Sequence, residues 1–383
     1  MLTSRRVVLR SLAASAATGL AVPATPRRFS GVIGFDPDRS TMGESLIRLD
    51  HNENPYGPSR KVLDAIQGAM ESVNRYPVAG YGELRERIAH LHGVKPQQIL
   101  LGCGSTDVLR MAAFAFLAGG KQLIQASPTF EAIESYAQRS GAEVVSVRLA
   151  PGFAHDLERM SARTSAAPAL VYICNPNNPT ASLNPREDLE AFIGKLPVSA
   201  YVVIDEAYHH YAGQSGMYAS FVDRPVDNQR VIVTRTFSAV YGLAALRLGY
   251  AVASPDVVRA MGRFAGEDNI NGIVMQAALA ALDDIDAVND FVRQNADDRQ
   301  EFFNQAMARA MKPIDSHANF VMMNTYHPAE DVIEHFRKNG VLIGRSFPAM
   351  NTYIRVSLGR PEEMRRFWQA WDALPYPKHT MQH

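Results

Sequence analysis

The sequence is short of cysteine, of charge imbalance and of long apolar runs, and each shortage removes a class of protein. Cys103 and Cys174 are its two cysteines; they form no CxxC pair and no Cys/His cluster at zinc spacing, which excludes a disulfide framework and a structural zinc site. Two small buried thiols are expected instead, even in an exported protein. Lys+Arg and Asp+Glu both number 39, so no basic excess is available to condense on nucleic acid and no acidic excess marks a solvating tail. The longest uncharged apolar stretch, Ser11 to Val22, is too short to span a bilayer, so no membrane partner is expected. What remains is 383 residues, 46% hydrophobic and 20% charged, the composition of an ordinary globular protein of about two domains.

The N-terminus is a separate object. Ser4-Arg5-Arg6-Val7-Val8-Leu9-Arg10 precedes the small-residue apolar run, and Val22-Pro23-Ala24 follows it as a cleavage site. This resembles a twin-arginine export signal, with Val8 where such signals often carry Phe. The other reading is a disordered basic tail. Cleavage after Ala24 would remove three arginines and no acids, lowering the net charge from zero by three. Such export carries folded proteins, which suits an enzyme that collects a cofactor first. The expected location is therefore periplasmic or otherwise exported, with the cytoplasm as the alternative.

From about residue 99, short apolar runs alternate with helical stretches. Candidate strands are Ile99–Gly102, Gln122–Gln125, Glu143–Val147, Leu170–Cys174, Tyr201–Ile204, Val231–Thr234 and Leu248–Val252, with helices such as Ser105–Leu117, Phe130–Ser140, Pro185–Lys195 and Pro255–Phe264 between them. Continuous apolar strands separated by helices imply an α/β fold with a mostly parallel sheet covered on both faces, and a binding site on loops at the strands' C-terminal ends. After about residue 268 the pattern becomes a long interrupted helical stretch, Val274 to roughly Ala310, followed by short strands and two helices, as in a smaller α+β domain.

Four segments at predicted strand ends carry chemistry. Gly102-Cys103-Gly104-Ser105-Thr106-Asp107 opens a helix, and its glycines and hydroxyls suit a phosphate, although an ordinary strand-to-helix turn reads the same way. Asn175-Pro176-Asn177-Asn178-Pro179-Thr180 is a stiff turn able to aim an amide at a ligand oxygen, or a plain polar loop. Asp205 ends a very apolar strand and needs a partner there; a protonated pyridine nitrogen would serve, as would a helix N-cap role. Tyr208 can reach the same ligand. Thr236, Ser238 and Arg247 offer two hydroxyls and a guanidinium, a set suited to a phosphate or to a solvated loop. Tyr208-His209-His210-Tyr211 lacks a third ligand at recognisable spacing, so no metal site is read from it.

This ordered series resembles the fold-type I pyridoxal-phosphate (PLP) aminotransferases of class I/II, and within them the histidinol-phosphate aminotransferase-like group. The resemblance runs from Asn52-Glu53-Asn54-Pro55-Tyr56-Gly57-Pro58 through Arg75-Tyr76-Pro77 to Tyr353-Ile354-Arg355-Val356-Ser357-Leu358-Gly359. With the twin-arginine-like export signal taken as 1–24, it implies an arm and part of the small domain over 25–75, a large PLP-binding domain over 76–267 and a small C-terminal domain over 268–383. It also implies that Gly104, Ser105, Thr106, Thr236, Ser238 and Arg247 bind the PLP phosphate, that Phe130 stacks on the ring, that Asn178 and Tyr208 hold the ring hydroxyl and that Asp205 pairs with the ring nitrogen. A charged Asp205 would keep the ring able to accept electrons from the substrate's α-carbon. Tyr56 would reach the phosphate of a neighbouring subunit, implying a homodimer with shared sites. Arg355, with Asn178 nearby, would grip the substrate α-carboxylate. Asn319 reads as structural. The partners implied are an amino acid, histidinol-phosphate-like or aromatic, and a 2-oxo acid.

The departure that matters most is Ala239, which stands where these enzymes carry the lysine that bonds the cofactor and shuttles the α-proton. The lysines present, Lys61, Lys95, Lys121, Lys195, Lys312, Lys338 and Lys378, fall outside the motifs. Two readings are open: a Lys→Ala variant trapped at the external aldimine, or a natural relative that has lost ordinary transamination. A non-catalytic PLP- or ligand-binding homologue and a PLP-dependent decarboxylase of the same branch are the alternative functions. Ala181 and Ala245 replace glycines usual in the family. Arg345, in Val341-Leu342-Ile343-Gly344-Arg345, lies near where histidinol-phosphate enzymes use an arginine on the distal phosphate, or is a solvated loop cation.

Overall fold

The structure, a computed structural model, describes residues 46–77, 80–164, 169–222, 228–266 and 268–375; the export segment expected over 1–24 lies outside them. Its strands are β1 (Ile47–Leu49), β2 (Ile99–Gly102), β3 (Gln122–Ser127), β4 (Glu143–Arg148), β5 (Ala169–Cys174), β6 (Tyr201–Asp205), β7 (Val231–Thr236), β8 (Gly249–Val252), β9 (Phe320–Asn324), β10 (Val341–Ile343) and β11 (Tyr353–Ser357). Seven of them form one sheet in the order β2-β8-β7-β6-β5-β3-β4.

Strand alternation splits that sheet's side chains between two cores. Leu101, Ile124, Ile173, Ile204 and Val233 enter one apolar cluster, while Leu100, Leu123, Tyr172, Val203 and Ile232 enter the other. Helices cover both: Gly80–His92 and Arg186–Lys195 on the first face, Ser105–Phe116, Ala132–Arg139 and Pro255–Gly262 on the second. Side-chain caps start several of the protein's helices, as where Ser254 accepts from the Val257 amide and Pro255 takes the first helical position.

The strands β2 to β7 run parallel, except that β8 lies antiparallel between β2 and β7. The C-terminal ends of β2, β3, β5, β6 and β7 therefore share one sheet edge, and the N-terminal end of β8 comes to the same edge. That reversal brings Arg247 beside turns far from it in sequence.

A third core lies in the C-terminal part, where β1 pairs with β10 and β9 with β11. Leu49, Phe302, Phe336, Val356, Phe367 and Trp371 fill it, with Phe336 stacked on Phe367 at 4.8 Å between centroids. The long helical stretch after 268 is broken at Asp283 and Asp284 into Gly272–Leu282 and Ile285–Ala308. The first piece follows the domain limit read at 268 and, apolar on nearly every side, buries Val274, Met275 and Ala278 in the large sheet's core. Helix Arg60–Ala69, within the segment expected to form an arm and part of the small domain, also sends Val62 into that core. Among the described residues no helix is long and apolar enough to cross a membrane.

Candidate active site

The site begins at the β2 end. Gly104 has φ +81, and a Cβ there would collide with the Arg247 guanidinium, so the turn before helix Ser105–Phe116 closes only around glycine. Gly249 makes the matching concession on β8, where a Cβ would overlap the Gly104–Ser105 backbone. Ser105 is buried at the helix start and Thr106 is half-buried beside it. From the β7 end, Thr236 Oγ1 donates to Ser238 Oγ at 3.0 Å, and Arg247 Nη1 donates to the same oxygen at 3.3 Å. Arg247 holds φ +60, a left-handed conformation uncommon for a branched-free cation and kept here by the turn after Ala244–Leu246. Gly104, Ser105, Thr106, Thr236, Ser238 and Arg247 thus meet at one place, with a helix N-terminus and hydroxyls converging. That donor set suits a phosphate. A cavity of about 290 Å³ opens beside Ser238, lined also by Asn54, Gly242 and Ala244.

The other half of the site is buried. Asp205, about 1% exposed, accepts from Tyr172 Oη at 2.8 Å and from the Ala207 amide at 3.2 Å. Burial raises its pKa to about 6 despite those bonds. Among the described residues no cation pairs with it. A buried carboxylate without a cation is suited to a positive group from outside, and a protonated pyridine nitrogen is such a group.

The asparagine turn after β5 divides its labour. Asn175 exchanges hydrogen bonds with the Asn184 backbone, and Asn177 accepts from Thr129 and donates to Thr180, so these two hold the loop. Asn178 faces the site: its Nδ2 donates to Tyr208 Oη at 3.3 Å and its Oδ1 accepts from Arg355 Nη1 at 2.7 Å. Asn52 Nδ2 also donates to Tyr208 Oη, at 3.0 Å, which leaves the phenol its own proton to give. Burial pushes the Tyr208 pKa to about 12, so that proton stays in place at neutral pH. Arg355 donates through Nη2 to the Asp50 carbonyl at 2.7 Å, while its buried Nε lacks a partner. Burial lowers its pKa to about 10, which leaves it charged. It retains donors for a carboxylate.

Other expected residues are placed as follows. Phe130 is half-buried after β3, against the core cluster holding Tyr172 and Cys174. Tyr56 donates to Asp298 Oδ2 of its own chain at 2.8 Å. Arg345 pairs with Glu131 at 2.6 Å. Asn319, 1% exposed, ties down the 52–53 backbone. Ala239 is buried, its methyl in the apolar cluster with Phe237 and Val240. Two expectations need correction or completion. Cys103 is exposed rather than buried, because the glycine-flanked turn turns its side chain outward; Cys174 is buried. Ala181, read from the resemblance as replacing a glycine, holds φ +57 in a fully buried position. Among the described residues no cluster of His, Cys, Asp and Glu could hold a metal.

Sequence reasoning assigned no role to Tyr172, Asn52 or Glu131. Strand alternation puts Tyr172 on the same sheet face as Asp205, which was a readable signal; the other two meet their partners through tertiary contacts alone.

An α/β sheet whose one edge gathers an anion cradle, a buried acid with no cation among the described residues and a phenol–amide–guanidinium set has the parts of a PLP-dependent transferase. Comparison with known proteins agrees: the family profile "Aminotransferase class I and II" matches residues 44–370, and the chain belongs to that family. It is 34% identical to the histidinol-phosphate aminotransferase of Symbiobacterium thermophilum over 340 residues, 88% of this chain and 93% of that one. Pseudomonas aeruginosa histidinol-phosphate aminotransferase 2 is also 34% identical, over 88% of this chain and 90% of its own. The crystal structure of histidinol-phosphate aminotransferase from Sinorhizobium meliloti in complex with pyridoxal-5'-phosphate superposes with TM-score 0.80 at 28% identity, covering 88% and 92% of the two chains. By family the chain is a PLP-dependent transaminase.

Proposed function

We propose that this site holds PLP without a covalent anchor and that its framework serves transfer of an amino group between an amino acid and a 2-oxo acid. The observation that carries the reading is a pair of separate hydrogen-bonded sets, Tyr172 with Asp205 and Tyr208 with Asn178 and Arg355. When bound, PLP supplies an electron sink for the carbon bearing the amine. Asp205 would hold positive charge at the ring nitrogen, and Tyr208 and Asn178 would hold the ring hydroxyl. Gly104, Ser105, Thr106, Thr236, Ser238 and Arg247 would hold the phosphate. Arg355 would fix the substrate carboxylate by two parallel bonds.

Ala239 supplies no amine and no base, so the chain as it stands is inactive or arrested in ordinary transamination. That favours the second reading, a non-catalytic PLP-binding homologue, to the same extent. Transamination assays of the chain and of Ala239→Lys across a donor panel decide between them: activity restored by lysine supports the transaminase, and none with any donor supports the binder.

The likeness to histidinol-phosphate aminotransferases suggests a histidinol-phosphate-like donor, and aromatic amino acids are the alternative; the pairing of Arg345 with Glu131 favours the aromatic alternative. A homodimer with shared sites is part of the proposal. The exposed apolar residues Met70, Val73 and Tyr76 supply surface for a second copy, and Tyr56 is the residue expected to cross over. Export through the twin-arginine-like segment completes it.

A further inference from the structure

Beside Arg355, two guanidinium groups approach one ring. Arg345 Cζ lies 4.3 Å from the Phe347 ring centroid and Arg355 Cζ lies 5.6 Å from it. Phe347 is 2% exposed, so the ring is a fixed spacer. Arg355 is the group placed on the substrate carboxylate, and Arg345 and Glu131 lie near enough to act on its charge, so they border the space a donor side chain would take. Arg345 is not free there. Its Nη2 meets Glu131 Oε2 at 2.6 Å, and its Nη1 donates to the Ser346 carbonyl at 2.9 Å.

Glu131 comes from the opposite side of the cleft, directly after Phe130 and just before helix Ala132–Arg139. Its carboxylate makes no capping bond to that helix, so the ion pair with Arg345 is its fixed engagement. The pair is half-exposed on both sides, 52% and 44%, which makes it weak as a source of stability. Its effect on incoming charge is larger. A distal phosphate or carboxylate must either displace Glu131 from Arg345 or sit beside a like charge, and like-charge juxtaposition is a means of rejecting ligands. An uncharged flat side chain leaves the pair intact and packs against it.

We propose that Glu131 is a specificity-determining residue that neutralises Arg345 and sets the donor class to amino acids with uncharged side chains, against donors carrying a distal phosphate, phosphonate or carboxylate. This rests on the reading of the site as a PLP–amino acid site.

Reduced N-phosphopyridoxyl conjugates test it without catalysis and with Ala239 in place. Calorimetric titration of the purified chain is expected to show the L-phenylalanine conjugate binding about tenfold tighter than the conjugate of L-2-amino-4-phosphonobutyrate, as a screened charge contact allows. Glu131→Gln should tighten the phosphonate conjugate about tenfold and leave the phenylalanine conjugate within about twofold, and adding Arg345→Gln should abolish that gain. Equal or tighter binding of the phosphonate conjugate with Glu131 intact, or a ratio unmoved by Glu131→Gln, overturns the assignment of Glu131 alone. Failure of both conjugates to bind overturns the PLP reading and the inference with it.

Discussion

Asp205 and Glu206 are chain neighbours, both buried to about 1% exposure, and they are satisfied in opposite ways. Glu206 accepts from Arg235 Nη2 at 2.9 Å, from Ser220 Oγ at 2.6 Å and from the Phe221 amide at 2.8 Å. Asp205 receives a phenol and one amide, with no cation. Leaving a strand end, adjacent side chains point to opposite faces, so one carboxylate ties the loop at 220–222 to β7 while the other faces the cleft. The fold spends its own arginine on Glu206. A buried acid with no cation partner among the described residues is the stronger sign of a ligand.

That contrast can be broken from the Glu206 side first. Arg235→Met leaves a buried carboxylate uncompensated and should cost roughly 3–5 kcal/mol, read from denaturant midpoints. An unchanged midpoint would show that the pair is not what holds Glu206.

The region around Arg235 also sets the acid limit. His92 and His210 are pushed to about 3, by burial first and then by Arg235, and burial alone takes His155 to about 4. A histidine depressed below its unfolded value near 6.5 contributes stability that is present above that pH and is lost as pH falls through the window toward 3–4. Asp205 has the reverse sign: raised to about 6, it contributes stability below about 3.8 that is lost as pH rises through 6. The histidines outnumber it, so the ligand-free protein should lose roughly 4 kcal/mol between pH 7 and pH 5, measured by denaturant titration at each pH. Flat stability across that range would contradict the neutral-histidine description.

Asp205→Asn sharpens the comparison from the other side. At pH 8 it removes an ionised group that burial disfavours, so the ligand-free protein should gain roughly 1–2 kcal/mol. The same change should weaken PLP binding by about 10- to 100-fold, since a charge-assisted bond is lost. Stability gained at the expense of binding is the signature of a functional group. The smallest effect is expected at Ala181, where Ala181→Gly relieves a left-handed backbone and should raise stability by roughly 0.5–1 kcal/mol in a thermal melt.

Much of this was legible before any coordinates. The strand ends at Gly102 and Cys174 could be read to the residue, and those of β6 and β7 to within one and two residues, because buried parallel strands are apolar runs that stop abruptly at polar turns. Asp205 stood out because its strand is otherwise so apolar. The glycines at 102 and 104 announced a close backbone approach, though not that Arg247 would be what approaches. Arg247 reaches the cradle only because β8 runs backward, a fact of topology that periodicity does not carry. The division of Asn175, Asn177 and Asn178 between loop and site was equally hidden, since all three share one residue type. Glu131 and Arg345 lie more than two hundred residues apart and read singly as solvated charges. Helix Gly272–Leu282 begins a helical stretch in sequence but packs in the sheet's core in space, which periodicity does not carry.

The central claim is that the non-covalent half of a PLP site is intact while its covalent anchor is missing. Absorption spectra of the purified chain and of Ala239→Lys, titrated with PLP and then treated with borohydride, test it directly. The account predicts that both proteins bind PLP at micromolar concentration, that borohydride fixes it permanently in Ala239→Lys, and that it dialyses away from the chain bearing Ala239. Absence of PLP binding by both proteins at that concentration would contradict the account.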